Sequence, residues 1–389
     1  MLEEFTVDNF KSLINVSFRP REQNLLLGMN NAGKTNLCQA LRFLSGTTRL
    51  PLAECADQTA GGVPGLQNFS LRKPTIDFGV RAAVPFEGES LSFDYRLSVI
   101  PRSTTTGEWL GLHSERLYVT GAAFDNTLLL EDSGRHLLVL DERDARRGQE
   151  TPIHVHSPRD RTALFNVWDS EETARANCFK KYIASWQYYA LSVAALRGFD
   201  HLPGFTVLNT NGNNLASVVY QLKTENERGY RRLLTHLRTV EPSVDVINFH
   251  VPAKDKVFMV FEDKNGNQLP AGSASSGTLR YLALLYVLAV QPQGEMGSLR
   301  IIEEPENGIY VGYLKHLLAL ASEADPPQQL IFTSHSPYFI DLFDDRLDSI
   351  FVLKGGQQHS TVTQPDPELV RKRLEKFPLG EQHFQEMLG

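Results

Sequence analysis

The sequence predicts an α/β protein in which a mixed central sheet is flanked by helices. Apolar strands alternate with amphipathic helices towards both ends of the chain, a pattern typical of a sheet covered by helices. Between them, over residues 76–140, apolar residues recur at every second position, as in antiparallel strands. We therefore predict one sheet-and-helix domain from residues 1–75 and 200–389. Residues 76–200 are predicted to form an inserted subdomain of antiparallel strands and helices.

The N-terminal elements are predicted from apolar runs and from turn residues. The run "NLLLG" is an apolar strand that leads directly into a glycine-rich loop, and the next apolar residues recur at helical spacing. Strands are predicted over 4–7, 14–18 and 24–28, a helix over 35–44, and a Gly- and Pro-rich loop over 50–75.

The later elements alternate between buried strands and amphipathic helices. The 213–239 stretch has apolar residues at helical spacing but lacks the sustained heptads of a long coiled coil. Helices are predicted over 170–197, 213–239, 278–290 and 311–323, and buried strands over 298–306, 329–337 and 348–354.

Composition indicates a globular protein and excludes several classes. Of the 389 residues, 41% are hydrophobic and 22% charged, and no apolar run has the eighteen or so residues that a membrane span needs. The net charge of -7 gives no support for nucleic-acid binding. Cys38, Cys55 and Cys178 share no short spacing, which argues against disulfides and zinc. We expect a cytoplasmic protein without a secretory signal or membrane contact.

The segment "GMNNAGKT" fits the phosphate-binding loop pattern G-x-x-x-x-G-K-[ST], with a predicted strand before it and a helix after it. Backbone N–H groups of such a loop, together with the helix N-terminus, surround phosphate oxygens. We expect Lys34 to reach the β- and γ-phosphates and the Thr35 hydroxyl to hold Mg²⁺. The predicted nucleotide-binding residues are Gly28, Asn30, Asn31, Ala32, Gly33, Lys34, Thr35 and Asn36.

The segment "IIEEPEN" ends a buried strand with two adjacent carboxylates. Side chains of consecutive strand residues point to opposite faces, so the two acids can take different roles. We assign Glu303 to the Mg²⁺ shell and Glu304 to the general base that polarises the attacking water. The alternative is a solvated acidic turn before Pro305.

Two further segments carry candidate residues. In "SASSGTLRYLALL", Ser275, Gly277 and Thr278 stand at the start of an apolar helix, where free N–H groups and hydroxyls can face an anion, although an ordinary serine N-cap explains the same pattern. In "FTSHSP", His335 follows a buried strand and can reach a γ-phosphate, but a lone histidine is usually structural or exposed.

The order of these four motifs resembles that of the ATP-binding cassette superfamily, and specifically its SMC/RecF-like branch. Within that branch the chain looks like prokaryotic "AAA family" ATPases with an EEPE-type Walker B motif, as in the ATPase parts of OLD-type and Septu-type defence proteins. The opening "FTVDNFKSL" also matches this group. The resemblance covers roughly residues 1–45 and 200–355, and residues 76–200 only loosely.

This resemblance implies ATP and Mg²⁺ as ligands, an ABC/RecF-like ATPase head, and a dimer that encloses nucleotide between two subunits. It makes Glu304 the catalytic glutamate and His335 the switch histidine, and it places Ser275, Gly277 and Thr278 in a signature motif that contacts the γ-phosphate bound to the other subunit. Asn307 and Gly308 begin the D-loop. Departures are Ala274 in place of Leu and Tyr310-Val311 in place of His-Pro, and the Q-loop residue is insecure, with Gln67 as a candidate.

No second catalytic motif is visible beside the ATPase motifs. His154 and His156 have no further ligands at metal spacing and are interpreted as structural or surface residues. Basic residues mix with aromatic ones over 178–197, which suits nucleic acid but is better explained by core packing. We expect an ATPase that forms a homodimer or a higher homo-oligomer and acts in defence against phage or foreign DNA. Its 76–200 region is expected to hold a separate effector, such as a nuclease, or as a second choice duplex DNA. The alternatives are a RecF-like DNA-binding repair ATPase and a slow-turnover ATP-bound scaffold.

Overall fold

The computed structural model describes residues 1–68, 73–104, 107–134, 136–202, 206–253, 255–292, 298–324, 328–356 and 359–385. The strands there are β1 (Leu2–Asp8), β2 (Val16–Phe18), β3 (Gln23–Leu27), β4 (Ile76–Phe86), β5 (Glu89–Thr104), β6 (Gly107–Gly121), β7 (Phe124–Asp132), β8 (Leu137–Leu140), β9 (Pro152–Ile153), β10 (Gln187–Tyr189), β11 (Asp200–His201), β12 (Val246–Ala253), β13 (Lys256–Glu262), β14 (Gln268–Pro270), β15 (Ser298–Glu303), β16 (Gln328–Thr333), β17 (Ile350–Gly355) and β18 (Ser360–Thr363).

Helices pack against the sheets that these strands form. They are α1 (Lys34–Gly46), α2 (Leu52–Ala60), α3 (Glu142–Ala145), α4 (Ala163–Asn166), α5 (Ala174–Ala184), α6 (Val193–Leu196), α7 (Leu215–Glu225), α8 (Glu227–Val240), α9 (Ser276–Leu285), α10 (Val311–Ser322), α11 (Pro337–Ile340), α12 (Pro367–Leu374) and α13 (Leu379–Phe384). None of the helices in the described part of the chain is both long enough and apolar enough to cross a bilayer.

A six-stranded sheet of order β10-β15-β16-β3-β17-β18 carries three of the four predicted motifs: the glycine-rich loop, the double acid and the His335 segment. All neighbouring pairs except β17–β18 are parallel. Strands β15, β16 and β3 are adjacent, and the segments after their carboxyl ends contain these three motifs. Because the carboxyl ends of parallel strands meet at one edge of a sheet, these motifs converge in space. The predicted mixed α/β fold with flanking helices is confirmed.

A second, antiparallel sheet has the order β2-β1-β4-β5-β6-β7-β8-β9. Its inward side chains form one hydrophobic core with α1, α2 and α5, and a second core lies between the six-stranded sheet and α7 to α11. Ile301 belongs to the first core and Ile302 to the second, as expected for consecutive residues of a strand buried on both faces. A smaller sheet of β11, β13, β12 and β14 adjoins the second core.

The sheets do not follow the predicted domain boundaries at residues 75 and 200. Strands β1 and β2 pair within the antiparallel sheet, because the inward residues Leu2, Phe5 and Val7 of β1 continue the apolar face of β4. Strand β10 pairs with β15 in the six-stranded sheet, although its residues were assigned to the insert. A three-residue strand is too short to show a period of two, so the sequence pattern could not reveal it.

Three predicted elements also differ locally. Residues 52–60 form α2 where a loop was predicted, between Pro51 and Gly61, whose φ of 71° ends the helix. The 170–197 helix is instead α5, β10 and α6. The 213–239 helix is broken at Asn226, whose side chain accepts a hydrogen bond from Gly229 N at 2.9 Å and begins α8.

Candidate functional site

A cavity of about 480 Å³ lies at the carboxyl edge of β3, β15 and β16. This volume is in the range that ligand sites of small molecules occupy. Its lining is polar and comes from the glycine-rich loop, the double acid and the loop after β16. The lining residues are Asn30, Asn31, Ala32, Gly33, Lys34, Thr35, Asn36, Glu303, Glu304, Thr333 and His335.

The glycine-rich loop adopts a conformation that requires glycine at both ends. Gly28 has φ of 149° and Gly33 of 105°. A Cβ atom would come within 2.3 Å of Leu353 O at Gly28 and within 2.4 Å of Ser360 Oγ at Gly33. Asn31, with φ of 62°, takes the left-handed conformation that asparagine tolerates better than most residues. The loop then leads directly into α1, which begins at Lys34.

The Lys34 side chain is 7% exposed and folds back over the loop. Its Nζ donates to Gly28 O at 2.6 Å and to Met29 O at 3.1 Å. Burial lowers the pKa of Lys34 to about 8, although the carboxylates of Glu304 and Glu303 oppose this shift. A cation with only carbonyl partners is poised to exchange them for phosphate oxygens, which bind it more strongly.

ATP affinity is therefore expected to decrease at alkaline pH. The phosphates of bound ATP favour the charged form of Lys34 and so raise its pKa in the complex. When the pH is above about 8, the pKa of Lys34 in the free protein, ATP binding is therefore accompanied by uptake of a proton. Between the two pKa values the affinity should fall roughly tenfold per pH unit. Calorimetry from pH 7.5 to 9.5, in buffers of different ionisation enthalpy, measures both effects. A flat affinity with no proton uptake would contradict the assignment of Lys34.

Glu303 has the surroundings of a metal ligand. The hydroxyls of Tyr188 and Thr35 lie against its carboxylate, and burial raises the pKa of Glu303 despite them. Its Oε1 atom is buried and has no hydrogen-bond partner. A buried oxygen of this kind beside a threonine hydroxyl fits Mg²⁺, which commonly takes one or two protein oxygens and completes its shell with water and phosphate. No cluster of three or more His, Cys, Asp or Glu side chains suited to a metal occurs among the described residues.

Glu304 directly follows the last residue of β15 and lines the same cavity as Glu303, with its side chain 45% exposed. Its φ of 46° places the backbone in the left-handed region, and its N–H donates to Thr333 O at 3.0 Å. Asn307 Nδ2 donates to Glu304 Oε2 at 2.5 Å, and His335 Nε2 lies 3.9 Å from Glu304 Oε1. Burial and the nearby Lys34 lower the pKa of His335, although Glu304 opposes this shift, and the lower pKa favours the neutral ring. A held carboxylate beside a neutral imidazole can bind and polarise a water molecule.

The Ser275 motif is not part of the cavity lining. Ser275 is exposed and is the N-cap of α9, since its Oγ accepts a hydrogen bond from Thr278 N at 3.0 Å. The Thr278 hydroxyl in turn donates to Glu241 Oε2 at 3.3 Å. Gly277 packs on Gly308, because an added Cβ would come within 2.5 Å of Gly308 O. Ser275 therefore lies on the surface of the chain, outside the cavity that the phosphate loop lines.

The sequence model of one protein family, described as "AAA domain, putative AbiEii toxin, Type IV TA system", matches residues 24–341. The chain belongs to this AAA-domain family. The match includes both the phosphate loop and the double acid, so the chain is an ATPase-type protein by family as well as by site geometry. No curated protein matches it. The finer resemblance to OLD-type and Septu-type proteins stays a prediction.

Solved structures with a similar fold include SMC heads. The SMC head bound to the C-terminal winged-helix domain of ScpA is 11% identical, with a TM-score of 0.53, and the alignment covers 93% of this chain and 97% of that one. An SMC head of Pyrococcus furiosus is 10% identical, with a TM-score of 0.49, covering 96% and 98%. At such identities the first likeness establishes the fold of this AAA-domain protein.

Several predicted residues lie elsewhere. Gln67 donates to Lys73 O at 2.7 Å and is not among the cavity-lining residues. Within the 178–197 segment, Trp186 and Tyr189 are buried, and Lys180 donates to Phe165 O at 2.5 Å, so core packing is the better explanation of this segment.

Four residues that line the cavity or interact with its lining residues were not predicted as site residues. Thr333 lines the cavity, and Tyr188 contacts Glu303 from β10. Glu306 binds the loop that carries His335. His383 lies on α13. Its pKa is lowered mainly by burial and further by the charges of Lys34 and His335. Glu306 and Thr333 had a sequence signal, as the last acid of "EEPE" and as a residue of "FTSHSP"; Tyr188 and His383 depend on contacts between distant segments.

Proposed function

We propose that the protein hydrolyses ATP as a head-to-tail dimer in which each subunit completes the active site of the other. The observation that carries this proposal is the separation of the motifs. The phosphate loop, the two acids and His335 share one cavity, whereas Ser275 is exposed outside it. In the two-fold dimer of our proposal, the exposed end of α9 from one subunit would cover the phosphates held by the other.

Exposed apolar side chains beside the cavity loops support a dimer on this face. Met29, Tyr310 and Tyr338 are 70%, 69% and 68% exposed, and each follows or adjoins a cavity-lining segment. Aromatic residues and methionine are enriched in interfaces between proteins. A second copy that closes over the nucleotide would bury these side chains together with the γ-phosphate.

The residues divide the chemistry between binding and hydrolysis. Lys34 and the N–H groups of the loop hold the β- and γ-phosphates, while Thr35 and Glu303 would hold Mg²⁺, which neutralises charge on the same oxygens. Glu304 accepts a proton from the attacking water, and His335 stabilises the γ-phosphate position. Opening of the dimer after hydrolysis then releases ADP and phosphate.

We further propose that this cycle controls a separate effector in defence against phage or foreign DNA. The family description names a toxin and a toxin–antitoxin system, and the SMC head in one similar structure binds ScpA. An effector held by the antiparallel sheet would respond to ATP only if it contacts the open and closed dimers differently.

Purified protein tests both proposals. We expect ATP hydrolysis that Lys34→Ala abolishes, and dimers that form with ATP and dissociate with ADP in sedimentation experiments. A tagged Glu304→Gln chain in ATP should retain an effector from the native host that Lys34→Ala does not retain. Stimulation of hydrolysis by duplex DNA would instead favour direct DNA binding. Monomers that hydrolyse ATP at a rate proportional to their concentration would exclude the shared active site.

A further inference from the structure

A single carboxylate oxygen organises the loop that carries His335. Glu306 Oε1 accepts hydrogen bonds from Ser334 Oγ at 2.5 Å, from His335 N at 3.2 Å and from Ser336 N at 3.3 Å. Ser334 is fully buried, and Ser336 N also donates to Ser334 Oγ at 3.0 Å. The loop has no regular secondary structure between β16 and α11, so these hydrogen bonds fix its backbone.

Glu306 also belongs to the segment that begins with the candidate base. Pro305 alone separates it from Glu304, and the next residue, Asn307, donates its side-chain N–H to Glu304 Oε2. Gly308 then places its carbonyl against Gly277 on α9. Glu306 therefore stands between the His335 loop on one side and the contact with the Ser275 motif on the other.

We propose that Glu306 is a positioning residue that holds the His335 loop and the Glu304–Gly308 segment together as one unit. Resting on the proposed dimeric function, this link would carry a change at one γ-phosphate to Gly308 and Gly277, and so to the α9 end that serves the opposite nucleotide. Glu306 would thus act through His335 and Glu304, without touching nucleotide itself.

The effect of Glu306 should differ between ATP and ADP. Only ATP offers a γ-phosphate to His335 and Glu304, whereas the phosphate loop alone can hold ADP. Loss of the Glu306 contacts should therefore spare ADP binding and impair the steps that come after ATP binding. Because a misplacement of about 1 Å can reduce a rate by 10²-fold, we expect Glu306→Ala to lower kcat by roughly 10- to 100-fold.

The experiment compares Glu306→Ala, Glu306→Gln, Ser334→Ala and the control Glu323→Ala. Glu323 is an exposed acid at the end of α10, so the control removes a similar charge away from the loop. Glutamine keeps an acceptor oxygen and should recover much of the loss. Ser334→Ala removes one hydrogen-bond donor to Glu306, and it tests the same contacts if Glu306→Ala does not fold. We measure kcat, KM, ADP affinity and the Hill coefficient for ATP, after checking each thermal transition.

Hydrogen exchange on the nucleotide-free protein gives a readout that does not depend on the proposed activity. Peptides that contain His335 and Ser336 should exchange faster in Glu306→Ala, because the His335 amide loses its acceptor and the Ser336 amide loses one of its two acceptors. We also expect kcat and the Hill coefficient to fall while ADP affinity stays within about twofold.

Unchanged exchange, or unchanged kcat in a folded Glu306→Ala protein, would overturn the inference. Equal loss of ADP affinity and stability would show a purely structural role and would overturn it as well. If the wild type neither hydrolyses ATP nor dimerises, the proposed function fails, while the exchange result still decides whether Glu306 holds the loop.

Discussion

Glu304→Gln is expected to bind ATP with little change and to hydrolyse it at least ~100-fold more slowly, since removal of a general base costs about 10²–10⁴-fold in rate. Glu304 lines the cavity, with its Oε1 atom 3.9 Å from His335 Nε2 and its Oε2 atom fixed by Asn307. An amide in the same place cannot accept a proton from water. The variant should accumulate as a closed, ATP-bound dimer.

The substitution is well matched to its backbone. Glu304 has φ of 46°, which strains any residue with a side chain, and glutamine carries the same strain as glutamate. The glutamine oxygen can still accept a hydrogen bond from Asn307. A loss of rate would therefore report the loss of the carboxylate and not a collapse of the segment.

Glu303→Gln is the control that separates the two acids. Because Glu303 carries the buried Oε1 atom without a partner, its amide variant should bind nucleotide less tightly and respond weakly to added Mg²⁺. Single-turnover hydrolysis and nucleotide titration over a range of Mg²⁺ concentrations distinguish the variants. If Glu303→Gln keeps its Mg²⁺ dependence and loses only chemistry, the roles of the two acids are reversed.

The phosphate loop shows what a local pattern can predict. Gly28 and Gly33 have backbone conformations that only glycine permits, and their spacing from Lys34 is that of a phosphate-binding loop. The loop and the start of α1 could therefore be predicted from the sequence. Glu303 and Glu304 could also be predicted to lie at the site from a local pattern, because two acids that end a buried strand must lie at its carboxyl end, outside the hydrophobic core. Their convergence with His335 required only that β3, β15 and β16 be parallel neighbours.

Other features depend on contacts that no short pattern contains. Tyr188 reaches Glu303 because β10 pairs with β15, more than a hundred residues later. Its neighbours Trp186 and Tyr189 looked compatible with nucleic-acid binding, yet their burial in the core explains them. The acid Glu306 was visible in the motif, but its partners Ser334 and Ser336 lie on another strand end. Tertiary pairing decided each of these cases.

Mixing two inactive variants is expected to restore activity if the active site is shared between subunits. The first is Lys34→Ala, which removes the phosphate-binding cation. The second is Ser275→Asp, which places a negative charge where the motif would meet the γ-phosphate of the other subunit. Aspartate is as good an N-cap as serine, so α9 should keep its first turn. Ser275→Asn, a cap without charge, is the matched control and should remain largely active.

The structure argues against Gly277→Asp for the same purpose. A side chain at Gly277 would collide with Gly308 O in its own subunit, and so would disturb the segment after Glu304. Such a variant would damage both active sites of a mixed dimer. Ser275 is exposed and its substitution leaves that contact intact.

The expected recovery can be calculated from the geometry of a two-fold dimer. A mixed dimer has one site with both defects and one site with Lys34 from one chain and Ser275 from the other. Random exchange gives mixed dimers in half of the population, so about a quarter of wild-type activity should return if the two sites work independently. ATPase rates of the mixture, with subunit exchange verified by differently tagged chains, provide the measurement.

No recovery in verified mixed dimers would mean that Ser275 serves its own subunit or no active site. Recovery well below a quarter, with intact exchange, would indicate that one working site depends on the other, as the Glu306 link between His335 and Gly277 implies.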